Sequence, residues 1–276
     1  MRRLARSARI NGVELSYNES GDGEPVLLVH GSNVDERIWD SHGELLAPRY
    51  KVIALTQRYF GAAPWPDEGR AFSLATHAAD LAEFVRTLRY DALTLVGWSY
   101  GAAVCLVMAR NGLPRIKRLF LYEPAIATFV DDGSRRQQAQ DDRLRMIDAA
   151  KAAASAGRHE AAVELFMDGV NDEPGTFRRL PQAVRAMMVE NSRMLPLLFA
   201  APAPPPLTAD DLRRVQVPVT IALGGASRTF YDIAARSAAA CIPGARLLMV
   251  PGARHMWPIQ DPKAFSELVL EFLAAS

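Results

Sequence analysis

The fold of this chain is decided by the stretch Ala92-Leu-Thr-Leu-Val96-Gly-Trp-Ser-Tyr-Gly101 and by the helical segment Ala102–Arg110 that follows it. The first five residues form a short continuous apolar run, which is typical of a parallel strand buried on both faces. Gly97 and Gly101 allow a sharp turn directly from strand into helix. A strand joined in this way to a helix is the repeating unit of a doubly wound α/β sheet.

Strands and helices alternate on both sides of this stretch. Further apolar runs predict strands at residues 25–30, 51–55, 116–122, 218–223 and 246–250. One face of a helix is marked by apolar residues that recur every three or four positions, namely Leu74, Ala78, Leu81, Val85 and Leu88. Near the start, Asn11-Gly12 predicts the turn of a β-hairpin. The predicted fold class is therefore α/β, with a doubly wound, mostly parallel sheet.

The alternation breaks between Asp131 and Leu198, where the sequence predicts no strand. Helical composition instead predicts segments at residues 135–156, 158–169 and 181–199. The stretch Ala201-Pro-Ala-Pro-Pro-Pro206 predicts a stiff, polyproline-like linker. We therefore predict a first part of the α/β core at 1–126, an inserted helical region at 127–208 and a second part of the core at 209–276.

The 276 residues carry 32 basic and 31 acidic side chains, a net charge of +1. This balance provides no field to hold nucleic acid or an anionic membrane, so neither is expected as a partner. No apolar run reaches the roughly 18 residues of a membrane helix. No apolar segment follows the basic start, Met1–Arg9, so we expect a solvated tail rather than a secretory signal. Two cysteines are too few for a disulfide framework, and a reducing, cytoplasmic location is expected.

Two residues have the setting of a nucleophile and its base. Ser99 lies in a G-x-S-x-G turn between strand and helix, where a serine is held in a strained position at the edge of a sheet. His255 follows the last predicted strand and can reach back over the carboxyl edge of the sheet to Ser99. The other histidines are predicted to have no such role: His30 braces its loop, and solvated positions are expected for His42, His77 and His159.

Taken together, these motifs resemble those of the α/β-hydrolase superfamily, in its serine-hydrolase branch with a helical lid after the sixth strand. The resemblance covers nearly the whole chain through His30-Gly31, Gly97–Gly101, the region 127–208, Gly224 and Gly252–His255. It implies an eight-stranded sheet, an acyl-enzyme on Ser99 and His255 as general base. It also implies an oxyanion hole formed by the backbone N–H groups of Ser32 and Tyr100.

The chain departs from this family at the position of the triad acid. Most members carry the acid shortly after the seventh strand, but Gly224-Gly-Ala-Ser-Arg228 contains no carboxylate. Glu123, at the tip of the sixth strand, is the best substitute, because some members, including haloalkane dehalogenases, place the acid at that neighbouring tip. Three alternatives stay open: Asp232 as the acid, a Ser–His dyad, and Glu123 as a feature of the entry to the lid.

The resemblance predicts cleavage of a small, mostly apolar ester or lactone, with Trp98, Tyr59 and Met188 as candidate substrate contacts. Carbon–carbon bond hydrolysis, cofactor-free perhydrolysis and ligand binding without catalysis are the alternatives. Members that form alkyl-enzyme esters carry Asp at the position of Ser99, which argues against epoxide hydrolase chemistry. No metal-ligand spacing, P-loop or dinucleotide fingerprint occurs, so neither metal nor cofactor is expected. The expected partner is a small-molecule substrate, and the chain is predicted to be a monomer or a homodimer.

Overall fold

The computed structural model describes residues 3–112, 115–201 and 207–275. Its centre is an eight-stranded sheet with the spatial order β1-β2-β4-β3-β5-β6-β7-β8. The strands are β1 Leu4–Ile10, β2 Val13–Ser20, β3 Glu24–Val29, β4 Tyr50–Leu55, β5 Leu93–Trp98, β6 Ile116–Tyr122, β7 Val219–Gly224 and β8 Arg246–Val250. From β4 to β8 all neighbouring strands are parallel, whereas β2 pairs antiparallel with both β1 and β4. The predicted α/β class and mostly parallel sheet are confirmed.

Helices flank the sheet and fill the interval between β6 and β7. They are α1 Asp40–Leu46, α2 Leu74–Thr87, α3 Tyr100–Ala109, α4 Gly133–Ser155, α5 His159–Asn171, α6 Thr176–Arg179, α7 Gln182–Glu190, α8 Leu195–Ala200, α9 Ala209–Arg213, α10 Thr229–Cys241, α11 Trp257–Gln260 and α12 Pro262–Ala274. Short 3₁₀ turns lie at Glu36–Trp39 and Asn191–Met194. None of the helices in the described part of the chain is long and apolar enough to cross a lipid bilayer.

The middle of the sheet is the best-buried part of the protein. Every residue of β5 and of α3 is buried, so this strand and helix have no solvated face. A helix that is apolar all round belongs in the interior, which explains why α3 follows β5 into the core. The stretch that decides the fold is therefore also its structural centre.

The start of the chain differs in part from its prediction. The residues from Leu4 onward form β1, so most of the predicted solvated tail is a strand paired with β2. Asn11 and Gly12 join the two strands with φ angles of 45° and 86°, the left-handed conformations of a tight hairpin turn. The hairpin prediction is confirmed, and the tail prediction was wrong because polar alternation on an edge strand resembles a solvated segment.

The helical region between β6 and β7 has the predicted content. No strand occurs among its described residues, and the segment predicted at 181–199 is divided into α7, a 3₁₀ turn and α8. An ion pair attaches α4 to the core. Arg228, which directly precedes α10, places its Nη2 atom 2.7 Å from Oδ1 of Asp142 on α4. The predicted polyproline-like linker lies, at 202–206, outside the described residues.

Two histidines that were expected to be solvated are buried. His42 on α1 is in edge contact with Trp39 and Phe265, at ring-centroid distances of 4.9 and 5.5 Å. Burial lowers the pKa of His42 to about 4, so the imidazole is neutral at pH 7. The prediction failed because polar neighbours along a helix do not show which face packs against another helix. His159 is exposed, as predicted.

Candidate active site

The turn between β5 and α3 holds Ser99 in a strained backbone conformation. Its φ and ψ angles are 56° and −115°, a combination that non-glycine residues rarely adopt. A Cβ at Gly101 would lie 2.3 Å from the carbonyl oxygen of Val29, and one at Gly97 would lie 2.9 Å from Ala102 Cα. Only glycine therefore permits the close approach of backbones that projects Ser99 from the sheet edge.

Ser99, His255 and Glu123 form one continuous line of hydrogen bonds. His255 Nε2 lies 2.8 Å from Ser99 Oγ, and His255 Nδ1 lies 2.7 Å from Glu123 Oε2. Because Glu123 is a carboxylate and accepts, Nδ1 carries the proton and Nε2 is free to accept from the serine hydroxyl. Glu123 is 0% exposed and His255 is 2% exposed, so water does not compete for these bonds.

The second oxygen of Glu123 is also bound. Glu123 Oε1 accepts from the backbone N–H of Gly224 at 2.8 Å and from the hydroxyl of Ser227. Gly224 and Ser227 lie in the segment where the family places its acid, and β6 and β7 are neighbours in the sheet. The carboxylate thus enters from one strand tip and is held by donors from the next. Asp232, the alternative acid, instead pairs with Arg236 at 2.7 Å.

The imidazole of His255 is packed as well as hydrogen-bonded. The ring of Tyr231 stacks on it with a centroid distance of 3.7 Å and an interplanar angle of 7°. Trp98 Nε1 donates to the carbonyl oxygen of His255 at 3.1 Å. Burial raises the pKa of Tyr231, so its phenol is neutral. Sequence reasoning missed Tyr231, because nothing in the pattern of α10 distinguishes a tyrosine facing the site from one in the core.

The loop after β3 lies beside the nucleophile. A Cβ at Gly31 would lie 3.3 Å from Ser99 Cβ, and Ser32 lines the same cavity as Ser99 and Tyr100. His30 braces this loop: Nδ1 donates to the Gly31 carbonyl at 2.7 Å, and Nε2 accepts from the Gln57 N–H at 3.0 Å. Burial lowers the pKa of His30, which keeps it neutral in this structural position.

Tyr100 is fixed by His77, the second of the two buried histidines that were expected to be solvated. Its hydroxyl donates to His77 Nδ1 at 2.7 Å, and His77 Nε2 donates to the carbonyl of Arg58 at 2.9 Å. Burial lowers the pKa of His77 to about 3, so its ring is neutral at pH 7 and one nitrogen can accept. His77 therefore orients the residue that follows the nucleophile.

A cavity of about 390 Å³ opens at Ser99, within the range of ~300–1,000 Å³ typical of small-molecule sites. Most of its lining is apolar and comes from the helices between β6 and β7 and from α10. Its larger apolar and aromatic lining residues are Leu74, Tyr100, Ile126, Met146, Ile147, Phe166, Leu198, Phe199, Phe230 and Tyr231. The site can therefore receive a mostly apolar molecule at the serine hydroxyl.

The three residues predicted to contact substrate do not line this cavity, and their placement is corrected. Trp98 packs against His255, with ring centroids 5.9 Å apart, on the side of the core. Tyr59 lines a separate cavity and donates its hydroxyl to Asp67 at 2.6 Å. Met188 on α7 is 0% exposed. Closeness to Ser99 in sequence, or an apolar stripe on a helix, does not decide which side chain faces the cavity.

Among the described residues, no group of three or more His, Cys, Asp or Glu side chains is arranged to hold a metal ion.

Comparison with known proteins agrees with this architecture. A sequence model described as the alpha/beta hydrolase family matches residues 26–268. A putative non-heme chloroperoxidase from Synechocystis sp. is 26% identical over 270 residues, which cover 95% of each chain. A soluble epoxide hydrolase from Corynebacterium sp. is 32% identical over 116 residues, which cover 42% of this chain and 40% of that enzyme. The solved esterase RhEst1 from Rhodococcus sp., 20% identical, superposes with a TM-score of 0.78 over 100% of this chain and 99% of its own and shares the fold.

Proposed function

This chain belongs to the alpha/beta hydrolase family, and we propose that it is a serine hydrolase that cleaves a small, mostly apolar carboxylic ester or lactone. One observation carries the proposal: the hydrogen-bonded line from Glu123 through His255 to Ser99 ends at a mostly apolar cavity. A nucleophile, a base and a group that orients the base are the parts that acyl transfer requires.

In the proposed reaction His255 Nε2 takes the proton of Ser99 as Oγ attacks the carbonyl carbon of the substrate. The resulting imidazolium faces the carboxylate of Glu123, which stabilises its charge without taking its proton. His255 then protonates the leaving alcohol, and an acyl-enzyme remains on Ser99. In the second half of the reaction His255 removes a proton from water as the water oxygen attacks the acyl carbon. The bond to Ser99 Oγ then breaks, His255 returns the proton to Oγ, and the acid leaves.

The tetrahedral intermediate carries a negative oxygen, for which we propose the backbone N–H groups of Ser32 and Tyr100 as donors. Both residues line the cavity beside Ser99. The positive end of the helix dipole of α3 lies at Ser99 and favours the same charge. One such donor contributes on the order of 3 kcal/mol to the stability of the transition state. We further propose that the region 127–208 acts as the lid that covers this site.

Perhydrolysis is the second candidate, because the relative matched over 95% of both chains is a putative non-heme chloroperoxidase. It would use the same acyl-enzyme, with hydrogen peroxide in place of water in the second step. Epoxide opening through an alkyl-enzyme ester is not proposed, because that route needs a carboxylate at the nucleophile position and this chain has Ser99 there. The two candidates are separated by adding hydrogen peroxide to the ester reaction and measuring whether the acyl-enzyme yields peracid or acid.

Covalent labelling tests the proposal directly. Wild-type protein is treated with a fluorophosphonate probe, the modified peptide is identified by mass spectrometry, and turnover of p-nitrophenyl butyrate is followed. We expect label on Ser99 and loss of both label and turnover in Ser99→Ala. Ser155→Ala, at an exposed position near the end of α4, is the matched control and keeps both. Folded wild-type protein that takes no label would refute the proposed hydrolase.

A further inference from the structure

The cavity at Ser99 carries positive charge without a compensating carboxylate. Its lining includes Arg136 and Arg143, and none of the described residues that line it is Asp or Glu. Both arginines lie on α4, on the helix face that also presents Gln140 and Ile147 to the cavity. Residues spaced by three or four positions share one side of a helix. A mostly apolar cavity therefore has one cationic side.

Arg143 is unpaired within the described part of the chain, in contrast to the arginines around it. Arg228 holds Asp142 through two nitrogens, at 2.7 and 3.1 Å, and Arg145 lies 3.4 Å from the same carboxylate. The arginines that lie over aromatic rings are Arg58, Arg118 and Arg193. Among the described residues, neither a carboxylate nor an aromatic ring contacts the guanidinium of Arg143. The N–H donors of this guanidinium are therefore available to a ligand.

Arg143 also lies one helical turn from a residue that contacts Tyr231. The hydroxyl of Tyr231, whose ring stacks on His255, contacts Met146 Sδ at 3.5 Å. Met146 follows Arg143 by one turn of α4 and lines the same cavity. Arg143 lines the cavity and is itself exposed to solvent, so a ligand entering the cavity can reach its guanidinium. A carboxylate in the cavity can pair with this guanidinium.

We infer that the substrate carries a carboxylate that binds Arg143 while its ester carbonyl lies at Ser99. This inference rests on the proposed ester hydrolysis and narrows its substrate class to esters with an apolar body and one anionic end. The planar guanidinium presents paired N–H donors that match the two oxygens of a carboxylate. The predicted preference for mostly apolar substrates is thereby refined: the apolar wall binds the body of the molecule, and Arg143 selects its charge.

Two esters of the same shape test the inference. Monomethyl adipate carries a carboxylate, and methyl adipamate has a carboxamide in its place. The ratio of their kcat/KM values is measured in wild type, in Arg143→Gln and in the control Arg135→Gln, which removes the same charge from an exposed position of α4. We expect a preference for the carboxylate of about 10- to 100-fold in wild type and control, and of less than about threefold in Arg143→Gln. A wild-type ratio near one, or a ratio that Arg143→Gln leaves unchanged, overturns the inference.

Binding to Ser99→Ala separates this inference from the proposed reaction. If wild type neither takes the fluorophosphonate label nor turns over p-nitrophenyl butyrate, the proposed ester hydrolysis fails. Calorimetric titration of both adipate esters into Ser99→Ala and Ser99→Ala/Arg143→Gln still tests the carboxylate site. We expect the carboxylate ester to bind Ser99→Ala about tenfold or more tightly than the carboxamide, and this difference to vanish in the double variant. Equal affinities for the two esters, or no binding of monomethyl adipate, contradict the inference. Melting temperatures of all variants confirm that they are folded.

Discussion

Replacing Glu123 by glutamine should disable His255 while leaving the fold intact. The amide oxygen of glutamine can accept the same bonds from Gly224 and Ser227 that Glu123 Oε1 accepts. Its NH₂ group then faces His255 Nδ1, which lies 2.7 Å from the acid oxygen in the wild type. The imidazole must therefore adopt the opposite tautomer, with its proton on Nε2, where it can no longer accept from Ser99.

The size of the loss follows from the charge that glutamine removes. An imidazolium and a carboxylate with charge centres roughly 4 Å apart attract each other by about 4 kcal/mol at an effective dielectric constant of ~20. At 1.36 kcal/mol per tenfold change, losing this attraction in the transition state lowers kcat by about 10³-fold, and the wrong tautomer adds to the loss. The free energy of unfolding should change by no more than about 1 kcal/mol, because the bonds of the other oxygen are kept.

The assay is steady-state hydrolysis of p-nitrophenyl butyrate, with urea unfolding as the check on stability. Asp232→Asn is the control, since it removes the alternative acid, which pairs with Arg236 and not with His255. We expect it to retain kcat within about threefold. If Glu123→Gln kept kcat within fivefold of wild type, Glu123 would not be the acid and the reasoning would be refuted. Loss of activity in Asp232→Asn would then favour Asp232 as the acid, and retained activity in both variants would favour a Ser–His dyad.

Two further predictions concern rings packed around histidines. Tyr231→Leu removes the ring stacked on His255 and should lower kcat/KM by about tenfold. Tyr231→Phe keeps the stacked ring, and its kcat/KM should stay within about threefold of the wild-type value. Equal losses of kcat/KM in the two variants would show that the hydroxyl matters and the stacked ring does not. The pKa of His42 is lowered to about 4 in the folded protein, whereas an unfolded chain has a histidine pKa of 6.5. As the pH falls from 6.5 to 4, His42 therefore takes up a proton in the unfolded chain before it does so in the folded protein, and the stability falls. Urea unfolding at pH 7.5 and 4.5 should show a loss of stability that is smaller by an amount on the order of 2 kcal/mol in His42→Phe than in the wild type, with the remaining loss coming from the buried His30 and His77. The same pH dependence in both proteins would contradict the prediction.

Local patterns were sufficient for the fold and for the candidate nucleophile. The apolar runs predicted the central strands within one or two residues, because a strand buried on both faces must be apolar along its length. The glycines around Ser99 marked the sharp turn, because a side chain at either position would collide with the neighbouring backbone. The hairpin at Asn11-Gly12 likewise follows from what two adjacent residues can adopt.

The candidate acid was predicted from the family resemblance, because some members place the acid at the tip of the sixth strand. The segment after β7 offers no carboxylate, and Glu123 stands at the tip of the next strand in the sheet. Whether its oxygen reaches His255 is a matter of tertiary structure, since the two residues lie 132 positions apart in the chain. The same holds for Ser227, because no local sequence signal predicts that its hydroxyl donates a hydrogen bond to Glu123.

The orientation of side chains around the cavity was decided by tertiary packing alone. Trp98 and Met188 have the chemistry of substrate contacts, but the core encloses them, while Tyr231 and Arg143 face the site. His42 and His77 lie among polar neighbours in sequence and are nevertheless buried. By itself the sequence determined the α/β sheet, the turn at Ser99 and the set of groups able to react, because each depends on neighbours along the chain. Only the tertiary structure decided which of these groups meet, and with what surroundings, because that depends on contacts between strands and helices that are distant in sequence.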